Sequence, residues 1–388
     1  MHYDIKTLQA WRKQGKKIAI YCAGRHGMIL FEILKKCNLS ADCFLDSSQE
    51  KWGQKIIDDC ICVDPQQIED KDNYVVFICI APAYYEKICS QVSFMGYRNI
   101  ANLNDLTDDI IINNSSLYLE LIEWFQHFPP SEFFYTPKPN RNNIPVEKEL
   151  NTYDSKIAVY TGIFGGYDGI CRPEVHPDNI DYYYVSDDEP EDAYPYVWID
   201  AKKIIPPDIF SPIKRNRYIK MHPHIFFPDY KYSIYVDGNI KIKGDLSRFI
   251  PSKKPGISAF MHPTRDCLFY EGITIVNFRR VIAADVCRQM KKYLNEGMPI
   301  HYGMAEMMVI ARNHMEPICI KIMEEWWNEF NKEAQRDQLS FMYVMWKNGL
   351  DVTDICSLGP NSRENPLIEI IKHDVESQAI SNTLQSPG

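Results

Sequence analysis

The chain has 388 residues, enough for two domains of ordinary size, and its 45% hydrophobic and 24% charged content suits a globular protein with a normal core. A formal charge of -9 argues against nonspecific nucleic-acid binding, which needs a basic footprint. Twelve cysteines, seven before residue 90 and none in a Cys-x-x-Cys pair, read as buried free thiols in a reducing cytosol rather than as a disulfide set or zinc site.

The N-terminus has no apolar signal core, and no later run approaches the roughly 18 apolar residues that span a bilayer, so a cytoplasmic location is expected. Residues 17–21 read as a strand, 22–27 as a tight turn, 28–37 as a helix and 41–45 as a second strand closing on Asp46. Residues 74–80 form a continuous apolar run, as in a parallel strand covered on both faces; a helix over 83–95 and a strand over 99–103 follow. This alternation predicts an α/β, Rossmann-like parallel-sheet domain over 1–112. A connecting helix from 117 and a Pro- and Asn-rich linker fill 113–154. A second α/β unit is expected over 155–376. Its strands fall at 157–161, 181–186, 232–236, 256–261 and 272–277, with one basic helix from 212 to 226 and mostly helix from 279 to 346. The polar tail, 377–388, reads as disordered.

Gly24, Gly27 and Asp46 make a partial dinucleotide fingerprint. The glycines would let backbone amides approach a phosphate, and Asp46 would hold ribose hydroxyls. A Rossmann-shaped scaffold that binds nothing uses the same residues, and the segment resembles the small N-terminal domains of sugar-modifying acyltransferases.

Asp237-Gly238-Asn239, at the end of a buried aromatic strand, suits a divalent metal carrying a diphosphate, because hard cations take oxygen ligands and open α/β sheets bind ligands at strand ends. A plain turn between strands is the alternative. Arg215, Arg217 and Lys220 on the preceding helix would give charge-assisted bonds to phosphate. His222 and His224 read as packing residues. Asp187 and Asp188 end a strand where a carboxylate can accept from a base or ribose; a solvent-facing acidic loop over Asp187 to Asp192 fits the same residues. His262, Arg265 and Glu271 make a plausible wall for a donor or acceptor sugar. Glu306 reads as the start of a helix. Asp337 reads as a helix cap that, with Gln338, could face sugar hydroxyls.

Taken together, Tyr160-Thr-Gly-Ile-Phe-Gly-Gly-Tyr-Asp168, Arg215-Asn-Arg-Tyr-Ile-Lys220, the run from Phe227 to Asn239, His262-Pro-Thr-Arg265 and Arg336-Asp-Gln-Leu-Ser-Phe341 resemble the glycosyltransferase-like family named for plant turgor-regulation and mucilage proteins. The same segment is more distantly similar to retaining galactosyltransferase-type enzymes of GT-A fold. That resemblance implies a GT-A domain binding a nucleoside diphosphate sugar through Tyr160, Thr161, Gly162, Asp187, Arg215, Lys220, Asp237, His262 and Arg265. It implies Mn²⁺ or Mg²⁺ at Asp237 and Asn239, with His373 as a third ligand. It also implies catalytic carboxylates or amides among Asp337, Gln338, Glu271 and Glu306, without deciding between inversion and retention. The acceptor would be a glycan or glycolipid of bacterial surface polysaccharide (capsule, O-antigen or lipooligosaccharide). Peripheral contact with the inner membrane face and oligomeric assembly are compatible with the chain. Two departures stand out: Asn239 replaces a second metal carboxylate, and the late His-x-x-Gly-x-Lys-Pro-Trp element is absent. The rival readings are a metal-dependent hydrolase built on His222, His224 and Asp237, and a nucleotide-binding or sensing module built on the N-terminal domain.

Overall fold

The computed structural model describes residues 3–79, 82–125, 155–165, 169–277 and 282–371. Most of the expected linker, residues 166–168, the tail 377–388 and His373 lie outside them. The chain divides into two compact units, Met1–Asn140 with Cys267–His301, and Arg141–Asp266 with Tyr302–Gly388. Residues 267–301, expected within the second domain, therefore cluster with the first.

The first unit holds a six-stranded sheet. Its strands are β1 (Lys17–Tyr21), β2 (Cys43–Leu45), β3 (Lys55–Ile57), β4 (Cys60–Val63), β5 (Tyr74–Ile78) and β6 (Asn99–Asn102), in the order β3-β4-β2-β1-β5-β6. All neighbours run parallel except β3 against β4. Ala19, Tyr21, Leu45, Val76 and Ile78 pack with Val92 and Tyr97 in one core, which is why β1 and β5 are uninterrupted apolar runs.

The fingerprint residues serve the turn itself. A Cβ at Gly27 would meet the Cys22 carbonyl oxygen at 2.4 Å, so the glycine allows the helix Arg25–Lys36 to approach β1 closely. Both Asp46 carboxylate oxygens, expected to hold ribose, are engaged: they accept from the Ala23 and Ser48 amides at 2.8 and 2.9 Å and from Lys51 Nζ at 2.8 Å. Burial works against the Asp46 charge, but Lys51 and those amides outweigh it and hold the carboxyl below its usual range. Residues 272–277, expected as a strand, belong to the helix Leu268–Asn277. Its β-branched composition favours a strand locally. Packing decides for helix: a Cβ added at Gly272 would come within 3.2 Å of Val286 and 3.3 Å of Met290 on the helix Ala283–Asn295, so the two helices approach closely there.

The second unit is built on β7 (Ile157–Gly162), β8 (Ile180–Ser186), β9 (Val197–Asp200), β10 (Tyr232–Val236), β12 (Ile257–Met261), β13 (Ala305–Arg312) and β14 (Cys356–Ser357). The order is β14-β12-β13-β10-β7-β8-β9; β11 (Ile240–Ile242) and β15 (Ile368–Ile370) form a separate antiparallel pair. β13 runs antiparallel to both neighbours, and every other pairing in this sheet is parallel. The sequence placed helix here. Ala-Glu-Met-Met suits a helix in isolation, but strands pair along both its edges and its side chains are buried on both faces of the sheet. The expected basic helix ends early, as Pro212–Met221, with a separate turn over Pro223–Phe226. Pro223 has no N–H to offer and disfavours a helical His222. Val159, Ile234, Val236, Val309 and Ala311 fill one face of the sheet, and Ala158, Tyr160, Ile219, Phe227 and Tyr235 the other.

Gly27→Ala is expected to destabilise the first unit by about 1–3 kcal/mol, because the clash is with backbone rather than a movable side chain. A lowered denaturation midpoint with unchanged slope is the outcome that chemical unfolding should read.

Candidate active site

Because β13 is reversed, its first residues share an edge of the sheet with the C-terminal ends of β7, β8, β10, β12 and β14. Along that edge, in strand order, come the turn after β14, His262 after β12, Glu306 at the start of β13, Asp237 after β10, Thr161 and Gly162 on β7, and Asp187 after β8. This is where open α/β sheets present ligands.

The helix Pro212–Met221 supplies the charges. Arg217 and Lys220, three apart, lie on one helix face and converge on Asp337. Lys220 Nζ is 2.6 Å from Asp337 Oδ2 and 3.8 Å from Asp237 Oδ1, and Arg217 Nε is 2.9 Å from Asp337 Oδ2. Burial opposes the Asp337 charge, but Arg217 first and Lys220 second hold its carboxyl far below the ordinary range. Burial pushes the Lys220 ammonium down, against Asp337 and Asp237. For Arg217 burial is likewise unfavourable, but Asp337 and Asp237 more than reverse it. With two cations beside it, the Asp337 carboxylate stays ionised.

Asp337 is therefore no simple cap. It precedes the helix Gln338–Lys347, but its side chain makes no capping bond, and its carbonyl accepts from Trp326 Nε1 at 2.8 Å. Gln338 Nε2 donates to the Ala305 carbonyl at 3.4 Å, beside Glu306.

Arg312 escaped the sequence reading because its strand was taken for helix. It is fully buried, donating to the Lys220 carbonyl and, at 2.6 Å, to the Tyr160 hydroxyl. Tyr160, expected to touch a nucleotide, is itself fully buried and donates to the Ile219 and Lys220 carbonyls at 3.2 and 3.3 Å. Together they satisfy the orphan carbonyls at the helix end that carries Lys220. Asn216 was also missed. Its amide donates to the Gly162 carbonyl at 2.8 Å, and its oxygen accepts from Tyr235 at 3.1 Å and from Arg217. A polar residue between two arginines on the basic helix was the available signal.

The other expected residues are distributed as follows. Arg215 pairs with Asp187 at 2.5 Å, away from the Asp337 cluster. Thr161 is buried, and its hydroxyl has no partner among the described residues. His262 Nδ1 accepts from the Arg265 amide at 3.0 Å, and its Nε2 lies 3.1 Å from the Arg265 guanidinium. Glu306, expected at the start of a helix, stands on β13, 3.0 Å from Arg363. Glu271 lies in the first unit, on the helix Leu268–Asn277. His222 and His224 face Glu324 at 3.6 and 2.9 Å, so the hydrolase arrangement with Asp237 is not assembled.

The Asp237 side chain is 26% exposed and open to a ligand. Asn239 Nδ2 donates to the Ile371 carbonyl at 3.2 Å, which leaves the amide oxygen to offer. Together they form an all-oxygen donor pair of the kind Mg²⁺ or Mn²⁺ accepts. Among the described residues no group of three His, Cys, Asp or Glu gathers to hold a metal.

Residues 136–373 match the family model described as TOD1/MUCI70, glycosyltransferase-like domain. The chain belongs to this family. A probable hexosyltransferase of Arabidopsis thaliana, MUCI70, is 26% identical over 242 residues, 55% of this chain. The match spans only 42% of that relative's length. Among solved structures, the WbbM bifunctional glycosyltransferase in its apo form is 15% identical, with TM-score 0.33, covering 54% of this chain and 39% of that one. Mouse xyloside xylosyltransferase 1, apo form, is 9% identical with TM-score 0.30, covering 52% and 83%. No helix among the described residues is long and apolar enough to cross a membrane.

Burial holds His222 and His314 neutral, each pushed down to about 4. An unfolded histidine titrates near 6.5, so on acidification the unfolded chain takes up protons first. Stability present above pH 6.5 should fall progressively toward pH 4, by roughly 2–3 kcal/mol per histidine. Unfolding midpoints measured from pH 7.5 to 4.5 should show this slope, and His222→Gln should flatten it.

Proposed function

We propose that the second unit transfers a sugar from a nucleoside diphosphate sugar to a hydroxyl of a glycan or glycolipid acceptor. The observation that carries this reading is the convergence of Lys220, Arg217, Asp337 and Asp237 at the edge of the sheet where ligands bind. Membership of a glycosyltransferase-like family supports it.

In this reading the Lys220 ammonium, fixed 3.8 Å from Asp237, helps to offset charge gathering on the departing diphosphate. Asp337 fixes the direction of that ammonium and keeps Arg217 beside it. Thr161 and Gly162 line the nucleotide side, where the buried Thr161 hydroxyl has no partner among the described residues. Asp237 and the Asn239 oxygen would hold Mg²⁺ or Mn²⁺, whose chemistry is neutralisation of the two phosphates. A bacterial surface polysaccharide as the destination, a cytoplasmic setting and peripheral contact with the membrane belong to the same proposal.

A thermal-shift series with nucleoside diphosphates, with and without Mn²⁺, tests it. A bound diphosphate at one hundred times its Kd should add about 2.7 kcal/mol. Asp237→Ala should melt normally yet lose both the Mn²⁺-dependent shift and sugar transfer. Full transfer by that variant would refute the role given to Asp237.

A further inference from the structure

Buried polar groups without partners are rare in folded proteins and costly to leave so. In the second unit several collect along one stretch of the sheet edge. Glu306 is 6% exposed; Oε1 bonds Arg363, while Oε2 is buried with no hydrogen bond among the described residues. The Thr264 hydroxyl, in the turn after β12, and the Ser362 hydroxyl, adjacent to Arg363, are buried and unpartnered in the same sense. Backbone bonds stitch these segments together: the His262 amide donates to the Met304 carbonyl and the Met261 amide to the Gly359 carbonyl, both at 2.9 Å. A register break between Ala259 and Phe260 sets Phe260 opposite Glu306. The bulge thus places Glu306 at the lip of the sheet, one strand from Asp237 and on the side away from Thr161 and Asp187.

Resting on the donor reading above, we infer that Glu306, Thr264 and Ser362 form the subsite for the acceptor sugar. A carboxylate oxygen and two hydroxyls can accept from and donate to the hydroxyls of a hexose, which carries several of each on one ring. The nucleotide occupies the edge from β8 to β10, so its sugar approaches β13, and the space along β12 and β14 falls to the acceptor. Oε2 is covered in the free protein, and Arg363, whose side chain is 56% exposed, is the member of its ion pair able to swing aside. Binding of the acceptor then satisfies a carboxylate oxygen that is otherwise orphaned.

The test uses the full chain with a panel of nucleoside diphosphate hexoses as donors and free hexoses and p-nitrophenyl hexosides as acceptors. Glu306→Gln keeps an oxygen for Arg363 but removes the charge, and should raise the acceptor KM about tenfold or more. Thr264→Val, which keeps side-chain shape, should raise it by about threefold or more. In both variants the donor KM and the melting shift given by the nucleoside diphosphate should stay at wild-type values. Thr264→Val keeps the test open if Glu306→Gln melts abnormally. Acceptor KM values unchanged in both variants, or a rise confined to the donor KM, would overturn the subsite. A wild-type protein that no nucleoside diphosphate stabilises and that turns over no nucleotide sugar would instead overturn the donor reading beneath it.

Discussion

One carboxylate, that of Asp337, pairs with two cations that the fold removes from water. Lys220 is 1% exposed in its side chain, and burying an ammonium costs several kcal/mol unless an opposite charge meets it at close range. At 2.6 Å, with Arg217 Nε at 2.9 Å on the same oxygen, Asp337 meets both. The arrangement joins the basic helix to the start of the helix Gln338–Lys347, and losing Asp337 leaves both cations without their shared counter-ion. Ion pairs of this kind seldom add much net stability. What they provide here is direction, since an ammonium fixed near Asp237 cannot wander when charge appears on a ligand.

That direction depends on how the helix end is secured. A helix ending in Ile219, Lys220 and Met221 leaves carbonyls without intrahelical partners, and Tyr160 and Arg312 take them from below. Both residues are fully buried and far apart in sequence, and each bonds the other. The polar interior beneath the edge is therefore a scaffold for Lys220 rather than a place where ligand binds. Tyr160 shows the distinction: expected to touch a nucleotide, it bonds the end of the helix.

Several parts of the candidate site were visible in the residues. A buried aromatic strand ending in Asp-Gly-Asn announced β10 and its edge position, because continuous apolar runs mark covered parallel strands. Arg215 and Lys220 were recognisable as a basic helix feeding that edge. Less visible were the partners. Asp337 is 117 residues from Lys220 and read locally as a cap; only packing turns it into a counter-ion. Glu306 and Arg312 lie in a segment whose Ala, Met and Glu content favours helix. In the first unit the opposite error occurred: Ile, Thr and Val favoured a strand where the fold packs a helix.

By itself, the amino-acid sequence determined two α/β units, a parallel sheet in the first, and an acidic residue at the end of a central buried strand in the second. Each follows from short-range patterns of side-chain period and burial, which a chain carries in consecutive residues. Tertiary structure alone decided the reversed strand β13, the pairing of Lys220 and Arg217 with Asp337, and the engagement of Asp46 within its own turn. Those outcomes depend on which surfaces and charges meet across long stretches of chain, where desolvation and ion pairing overrule the local preferences that a sequence displays.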